Sequence, residues 1–243
     1  AQVIAVTTPT NDNTSSYTFS SNEAGDITYG GSCSSTSTNA SAANNEVTFN
    51  ALVDGYYSNC SVKVTDNATN ESNTLSVTPF IIDTLSPTVS SVSSSIANGS
   101  YKANVNITIT ASFSEIVFVN NSSGNPRIQL ETGTNDRYAN YISGNSTSVL
   151  SFLYSVQSGD NSSDLDYKAT DSLSANSGTI RDNATNDSIL TLSSPGESGS
   201  IGANKDIVID GIVPTISSIS PTDNQCSVSV SDNISLTFSE IMD

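Results

Sequence analysis

An all-β fold, built from antiparallel β-sandwiches in tandem, is what the sequence predicts, and three observations predict it. Apolar residues recur with a period of two and nowhere sustain a period of 3.6. The alternating runs are separated by Gly, Asn and Asp turn signals. One set of landmarks then occurs twice in the same order, which makes the chain modular. A period of two means strands because successive side chains of a strand face opposite sides of its sheet.

In chain order, the first strands are expected at SYTFSS, GDITYGG, NEVTFNAL and CSVKVTD. They read as one small antiparallel sandwich. NVNITITASFSEIVFV, RIQLETG, RYANYISG, SVLSFLYSV and KDIVIDG follow, each alternating in the same way. Helix is expected to be scarce throughout.

The repeat sets the boundaries. Phe80 to Val92, FIIDTLSPTVSSV, matches Ile207 to Ile219, IVIDGIVPTISSI: an apolar strand ends in Asp, a short link runs to Pro, and another strand begins. TASFSEI follows the first Pro and LTFSEI the second, with Phe113 26 residues after Pro87 and Phe238 24 after Pro214. The pentapeptide DNATN also occurs twice, at Asp66–Asn70 and Asp182–Asn186. Three modules are expected: 1–84, a larger one at 85–211, and the opening strands of a third at 212–243.

Composition narrows the function. Asp and Glu number 24 against seven Lys and Arg, a net charge of -17, with only 13% of residues charged. Ser, Thr, Asn and Gly must therefore cover most of the surface, and such a surface repels nucleic acid and anionic membranes. No apolar run reaches the roughly 18 to 20 residues of a membrane span, so no membrane insertion is expected of this segment. His and Trp are absent, which removes the commonest general base and transition-metal ligand. A thiol nucleophile would have no His to activate it. Paired carboxylates could serve glycoside hydrolysis, but nothing suggests a sugar cleft with aromatic platforms. No enzyme activity is expected.

The first module, with PTNDNTSSYTFSSNEAGDITYGGSC, YYSNCSVKVTDNATNESNTLSVTPFIIDT and its link, resembles the bacterial immunoglobulin-like repeats of large secreted adhesins, including biofilm-associated and RTX-type extender modules. NGSYKANVNITITASFSEIVFV through SIGANKDIVIDG is similar to a second repeat of the same class of surface protein, and ISPTDNQCSVSVSDNISLTFSEIMD to the opening of a third type. The resemblance covers nearly the whole chain. It implies tandem immunoglobulin-like antiparallel β-sandwiches in an extracellular, cell-surface or secreted setting. Where relatives often carry Gly in the fourth place of DNATN, this chain has Thr69 and Thr185.

Calcium is the cofactor that the residues suggest, because it takes six to eight oxygens from carboxylates, amides and carbonyls and needs no His. In an immunoglobulin-like sandwich the strand ends and the link can lie at one pole. Asp66, Asn70 and Asp83 with Glu115 then form the candidate set at the first junction, and Asp182, Asn186, Asp210 and Glu240 the equivalent set at the second. The competing reading is that these Asp and Asn side chains only satisfy turn backbone groups. SGDNSSDLDY offers a third candidate site in Asp160, Asp164 and Asp166. There the competing reading has Asp164 and Asp166 capping a short helical turn through DLDYKA.

Cys33 and Cys60 fall in one module, and an extracellular setting allows them to pair, worth roughly 3 to 4 kcal/mol in the chain-entropy picture. Cys226 is the odd one, left for a partner beyond this segment, for another chain, or as a thiol. Asn67 and Asn183 are candidate glycan acceptors in an organism that glycosylates such sequons.

The expected role is that of a non-enzymatic extracellular array, stiffened by Ca2+ at its junctions, that projects or builds an adhesin or fibre. Its partners would be neighbouring modules, copies of itself in a fibre, and a host or matrix ligand. The alternatives are a self-assembling filament or surface-layer subunit joined by strand complementation, and accessory modules of a secreted enzyme.

Overall fold

The structure, a computed structural model, describes residues 1–222, 226–229, 231 and 233–241. Parts of the expected third module, residues 223–225, 230, 232 and 242–243, lie outside the described residues. The chain is nearly all β, 45% strand and 2% helix. Its sheets are antiparallel apart from one parallel pair, Gly99–Lys102 beside Ile207–Asp210.

Every alternating run named above forms a strand. Ser16–Ser20, Gly25–Gly30, Asn44–Thr48 and Ser61–Thr65 occupy the first third, and Asn106–Asn120, Arg127–Glu131, Arg137–Ser143, Thr147–Ser155 and Ile207–Asp210 follow. The alternation is read out as burial: along Asn106–Asn120, Ile107, Ile109, Ala111, Phe113 and Val117 face inward. The only described helix is the single turn Ile201–Asn204.

Two separate hydrophobic clusters result. One draws on residues from Val6 to Ile82 and lies between the sheet Gln2–Ile4, Ser16–Ser20, Asn44–Thr48 and the sheet Asn39–Ala40, Gly25–Gly30, Ser61–Thr65, Leu75–Ser76. Tyr17, Phe49, Phe80 and Tyr57 run through it as a chain of stacked rings with centroids 5.2 to 6.1 Å apart. Stacking of this kind adds about 0.5–1.5 kcal/mol per pair to the burial itself. Cys33 and Cys60 are bonded in the same cluster, with Cα atoms 5.2 Å apart.

The other cluster draws on residues from Val92 to Ile209, on the inner side of a large sheet ordered Val89–Ser94, Asn106–Asn120, Thr147–Ser155, Arg137–Ser143, Arg127–Glu131, Asp166–Tyr167. Asn106–Asn120 is long enough to serve two partners. Its first half pairs with Val89–Ser94 and Thr147–Ser155, and beyond Val117 its end pairs with Thr179–Arg181. That switch carries Asp182, the residue after Arg181, to the side of the sheet where the chain arrives from the first cluster.

The two Asp-to-Pro links are built alike. After the first, Val89 lies opposite Phe113, a register shift follows before Ser91, and the Ser90 hydroxyl donates to Ser112 O over 3.0 Å. After the second, Ile216 lies opposite Phe238, a shift follows before Ser218, and the Ser217 hydroxyl donates to Thr237 O over 3.0 Å. Thr88 and Ser114 exchange backbone-to-hydroxyl and backbone-to-backbone bonds of 3.0 and 2.8 Å, and Thr215 and Ser239 exchange the same pair at 2.9 and 2.8 Å. The repeated sequence thus specifies a repeated register, bulge included.

Candidate metal centre

The DNATN pentapeptide folds into one turn at both of its positions. Asp66 Oδ1 accepts from Ala68 N and Asn70 N, each at 2.8 Å, and Oδ2 accepts from Asn70 Nδ2 at 2.9 Å. Asp182 Oδ1 accepts from Asn186 N at 2.8 Å, and Oδ2 from Asn186 Nδ2 at 2.7 Å. In both copies the Asp amide donates to the carbonyl of the final Asn, and the Thr amide donates back to the Asp carbonyl. Closing the loop forces Thr69 to φ 70° and Thr185 to φ 73°, the left-handed region that favours Gly. An Asp that accepts several N–H bonds is held in its charged form, and hydrogen bonds from Asn70 keep the Asp66 carboxyl below its ordinary range.

The surroundings of the two turns differ. The first is exposed on its outer side, with Asn67, Ala68, Thr69 and Asn70 all open to solvent. In the second, Asp182, Ala184 and Asn186 are buried. Asn186 Nδ2 donates there not only to Asp182 but also, over 2.8 Å, to the backbone carbonyl of Asp83, 103 residues earlier. One side-chain amide thus ties the link that leaves the first cluster to the last turn of the second.

This tie draws three carboxylates together. Asp83 comes from the link, Glu115 from the middle of Asn106–Asn120, and Asp182 from the turn, and one oxygen of each lies within 4.8 Å of the others. No ion pair among the described residues neutralises them, and the adjacent Arg181 is held by Asp187 over 2.6 Å. Burial, then the negative charges of Asp83 and Asp182, push the Glu115 carboxyl above its ordinary range. The cluster could hold a metal ion. Its donors are all oxygen, which suits a hard cation.

The sequence places these residues in two sets, whereas the structure joins members of both: Asp83 and Glu115 of the first set meet Asp182 and Asn186 of the second. Asp66 and Asn70 bond to each other, apart from the cluster. Asp210 and Glu240 line a common cavity of about 360 Å³ at the second link, with Pro214 and Ile241. No third carboxylate clusters with them among the described residues. Asp210 also accepts from Ile212 N over 3.2 Å, as Asp83 does from Leu85 N over 3.3 Å.

Of the SGDNSSDLDY carboxylates, Asp160 stands apart, whereas Asp164 lies beside Asp166 and Asp206. Asp160 is 1% exposed and accepts from Arg137 Nε, the Tyr154 hydroxyl and Gln157 N at 2.7 to 2.8 Å, an arrangement of a structural ion pair. Burial and the bond to Asp160 together push the Tyr154 hydroxyl far up. Asp166 accepts from Tyr167 N, Gly196 N and Ile201 N, the first amide of the short helix Ile201–Asn204 that Ser200 caps, and no helical turn runs through DLDYKA. Asp164 is pushed up by burial, then by Asp206 and Asp166. Alternation carries no sign of the Arg137–Asp160 pair, because ion pairing between separate strands leaves no local pattern.

Asn67 and Asn183 are exposed, as an acceptor must be, while the sequon at Asn186 has its amide committed at the junction. Cys226 is exposed and outside the disulfide. The Cys33–Cys60 bond points to an oxidising environment. No described helix is long and apolar enough to cross a membrane. Compared with protein-family models, with curated proteins and with solved structures, the chain matches none.

Proposed function

We propose that this chain is a non-enzymatic run of immunoglobulin-like modules from an extracellular adhesive array, in which Ca2+ held by Asp83, Glu115 and Asp182 stiffens the link between modules. One observation carries the reading: three carboxylates from the link and from two separate parts of the following module converge at the hinge, and no ion pair among the described residues engages them. Like charges this close repel, so the link opens without an ion; a bound cation draws the three together and fixes the angle. The Asn186 bond to Asp83 O positions the link for that closure. The disulfide suits the extracellular setting, and the scarcity of catalytic groups suits a structural role.

Small-angle scattering with Ca2+ and with chelator tests it. The maximum dimension and its spread should change for the parent chain and for Asp66→Asn, and stay fixed for Asp182→Asn. Identical profiles for the parent chain in both conditions would overturn the reading.

A second reading, assembly by strand complementation, is favoured by the third hairpin. Ile216, Leu236 and Phe238 are 39 to 58% exposed, whereas Phe113 and Ala111, which hold the equivalent places beside the first link, are 5% and 0% exposed. The hairpin's apolar face is thus uncovered, and its two strands pair with no further strand among the described residues, which leaves edges for a strand from another copy. Dimensions that grow with protein concentration, with or without Ca2+, would select this reading.

A further inference from the structure

We infer that the two DNATN turns are matched N-glycan acceptors, with Asn67 and Asn183 each taking an oligosaccharide on Nδ2 and Thr69 and Thr185 kept in place for their hydroxyls. From its second residue each turn reads Asn-Ala-Thr, an instance of the Asn-X-Ser/Thr order that marks an acceptor on the surface of a secreted protein. Such triplets open at 14 of the 27 Asn residues, although Ser and Thr fill only 75 of the 243 positions, so the order is commoner than composition supplies. The triplet by itself does not single out these two Asn residues. The geometry of the turn does.

In the second copy the other three residues have structural work. Asp182 closes the loop, Ala184 is 2% exposed, and Asn186 donates to both Asp182 and the Asp83 carbonyl. Asn183 and Thr185, by contrast, are exposed and make no side-chain hydrogen bond among the described residues. The same holds for Asn67 and Thr69 in the first copy. Thr also suits its backbone badly, because at φ 70° and 73° a β-branched side chain is strained where Gly is not. A strained residue whose side chain touches no partner in either copy points to a use outside the fold. The two residues that the turn leaves without work are the two that glycosyl transfer needs, an amide and a hydroxyl two places on.

In that transfer Nδ2 attacks the anomeric carbon of an oligosaccharide carried on a lipid diphosphate. A C–N bond forms, the bond from the same carbon to the diphosphate oxygen breaks, the lipid diphosphate leaves, and the amide gives up one proton. Such donors are used on the outer side of the membrane, which agrees with the oxidising environment that the Cys33–Cys60 bond indicates. Asn70 and Asn186 open triplets as well, but their Nδ2 groups already donate to Asp66 and Asp182, and Asn186 is buried. Each pentapeptide thus holds one free acceptor and one committed amide. The inference rests on the extracellular setting proposed above and not on the junction ion.

Peptide mass spectrometry of the full chain recovered from its own cells, digested without reduction, tests it. The peptides that carry Asn67 and Asn183 should each show the added mass of an oligosaccharide, and Asn186 should show none. Made in the same cells, Asn183→Gln and Thr185→Gly should each strip the second turn and leave the first modified, while Thr185→Ser keeps both glycans. Asn67→Gln and Thr69→Gly should do the reverse. The parent peptides decide the matter should a variant fail to accumulate. Bare Asn67 and Asn183 on a chain whose Cys33–Cys60 bond is formed would overturn the inference and leave the extracellular setting standing, whereas bare sites on a chain with both thiols free would overturn the two together. A glycan that survives Asn183→Gln would sit on a hydroxyl, one that survives Thr185→Gly would need no Thr, and one on Asn186 would ignore the committed amide; each would overturn the inference.

Discussion

At Asp66–Asn70 and at Asp182–Asn186 the same five residues make the same turn, with the same Asp-to-Asn bonds and the same left-handed Thr. The first turn ends there, exposed, its bonds all internal. The second is buried, and its Asn reaches across to Asp83 while its Asp joins Glu115. Local sequence therefore determines the turn, and the strand that delivers the turn determines its use. Thr179–Arg181 pairs with the far end of Asn106–Asn120, and this alone brings the second copy to the link.

Removing the shared amide from each copy should give the largest contrast. Asn186→Ala takes away the donor for a buried carboxylate and for the Asp83 carbonyl, which should cost about 2–3 kcal/mol. Asn70→Ala removes one exposed bond and should cost about 0.5–1 kcal/mol. Chemical denaturation of both variants in chelator measures the difference. Equal costs would show that the contact with Asp83 adds nothing.

The comparison also shows what could be read without the structure. Alternation located every main strand, since one inward face per strand leaves its mark on the sequence, as in Ile107, Ile109 and Ala111. The repeated links were legible down to Phe113 and Phe238, because the same register needs the same residues at the same offsets. The grouping of the carboxylates was not. Copying a motif preserves its turn, so Asp66 and Asp182 read as equivalents, while the pairing that separates them joins strands distant in the chain, Phe118 lying opposite Arg181. One signal was present: the inward positions of Asn106–Asn120 run on past Phe113 through Glu115, Val117 and Val119, farther than one hairpin needs, and so ask for a further partner strand.

Acidification should move the two sites in opposite directions when chelator is present. Glu115 has its carboxyl pushed up in the folded chain, so its ionisation opposes folding. That penalty is absent below the unfolded value of about 4.3 and grows as pH rises through the folded one. Asp66 has its carboxyl held down, so its contribution is present above the unfolded value of about 3.9 and is lost as pH falls through the folded one. Melting temperatures taken as pH falls from neutral should show Glu115→Gln losing its advantage over the parent chain, and Asp66→Asn losing its disadvantage. Parallel curves for the two variants would break the contrast.

The smallest effect tests what the copies share. A β-branched residue at φ 70° or 73° carries roughly 1–2 kcal/mol of strain that Gly would relieve. Gly returns about 0.4–1 kcal/mol of that as extra freedom of the unfolded chain. Both Thr side chains are exposed, so little packing is lost on their removal. Thr69→Gly and Thr185→Gly should therefore each stabilise the chain by about 0.5 kcal/mol, and by the same amount, because the strain arises within the pentapeptide. A gain at one copy only would mean that burial of the second turn against Asp83 alters the turn itself, and that the two copies differ in local geometry as well as in use.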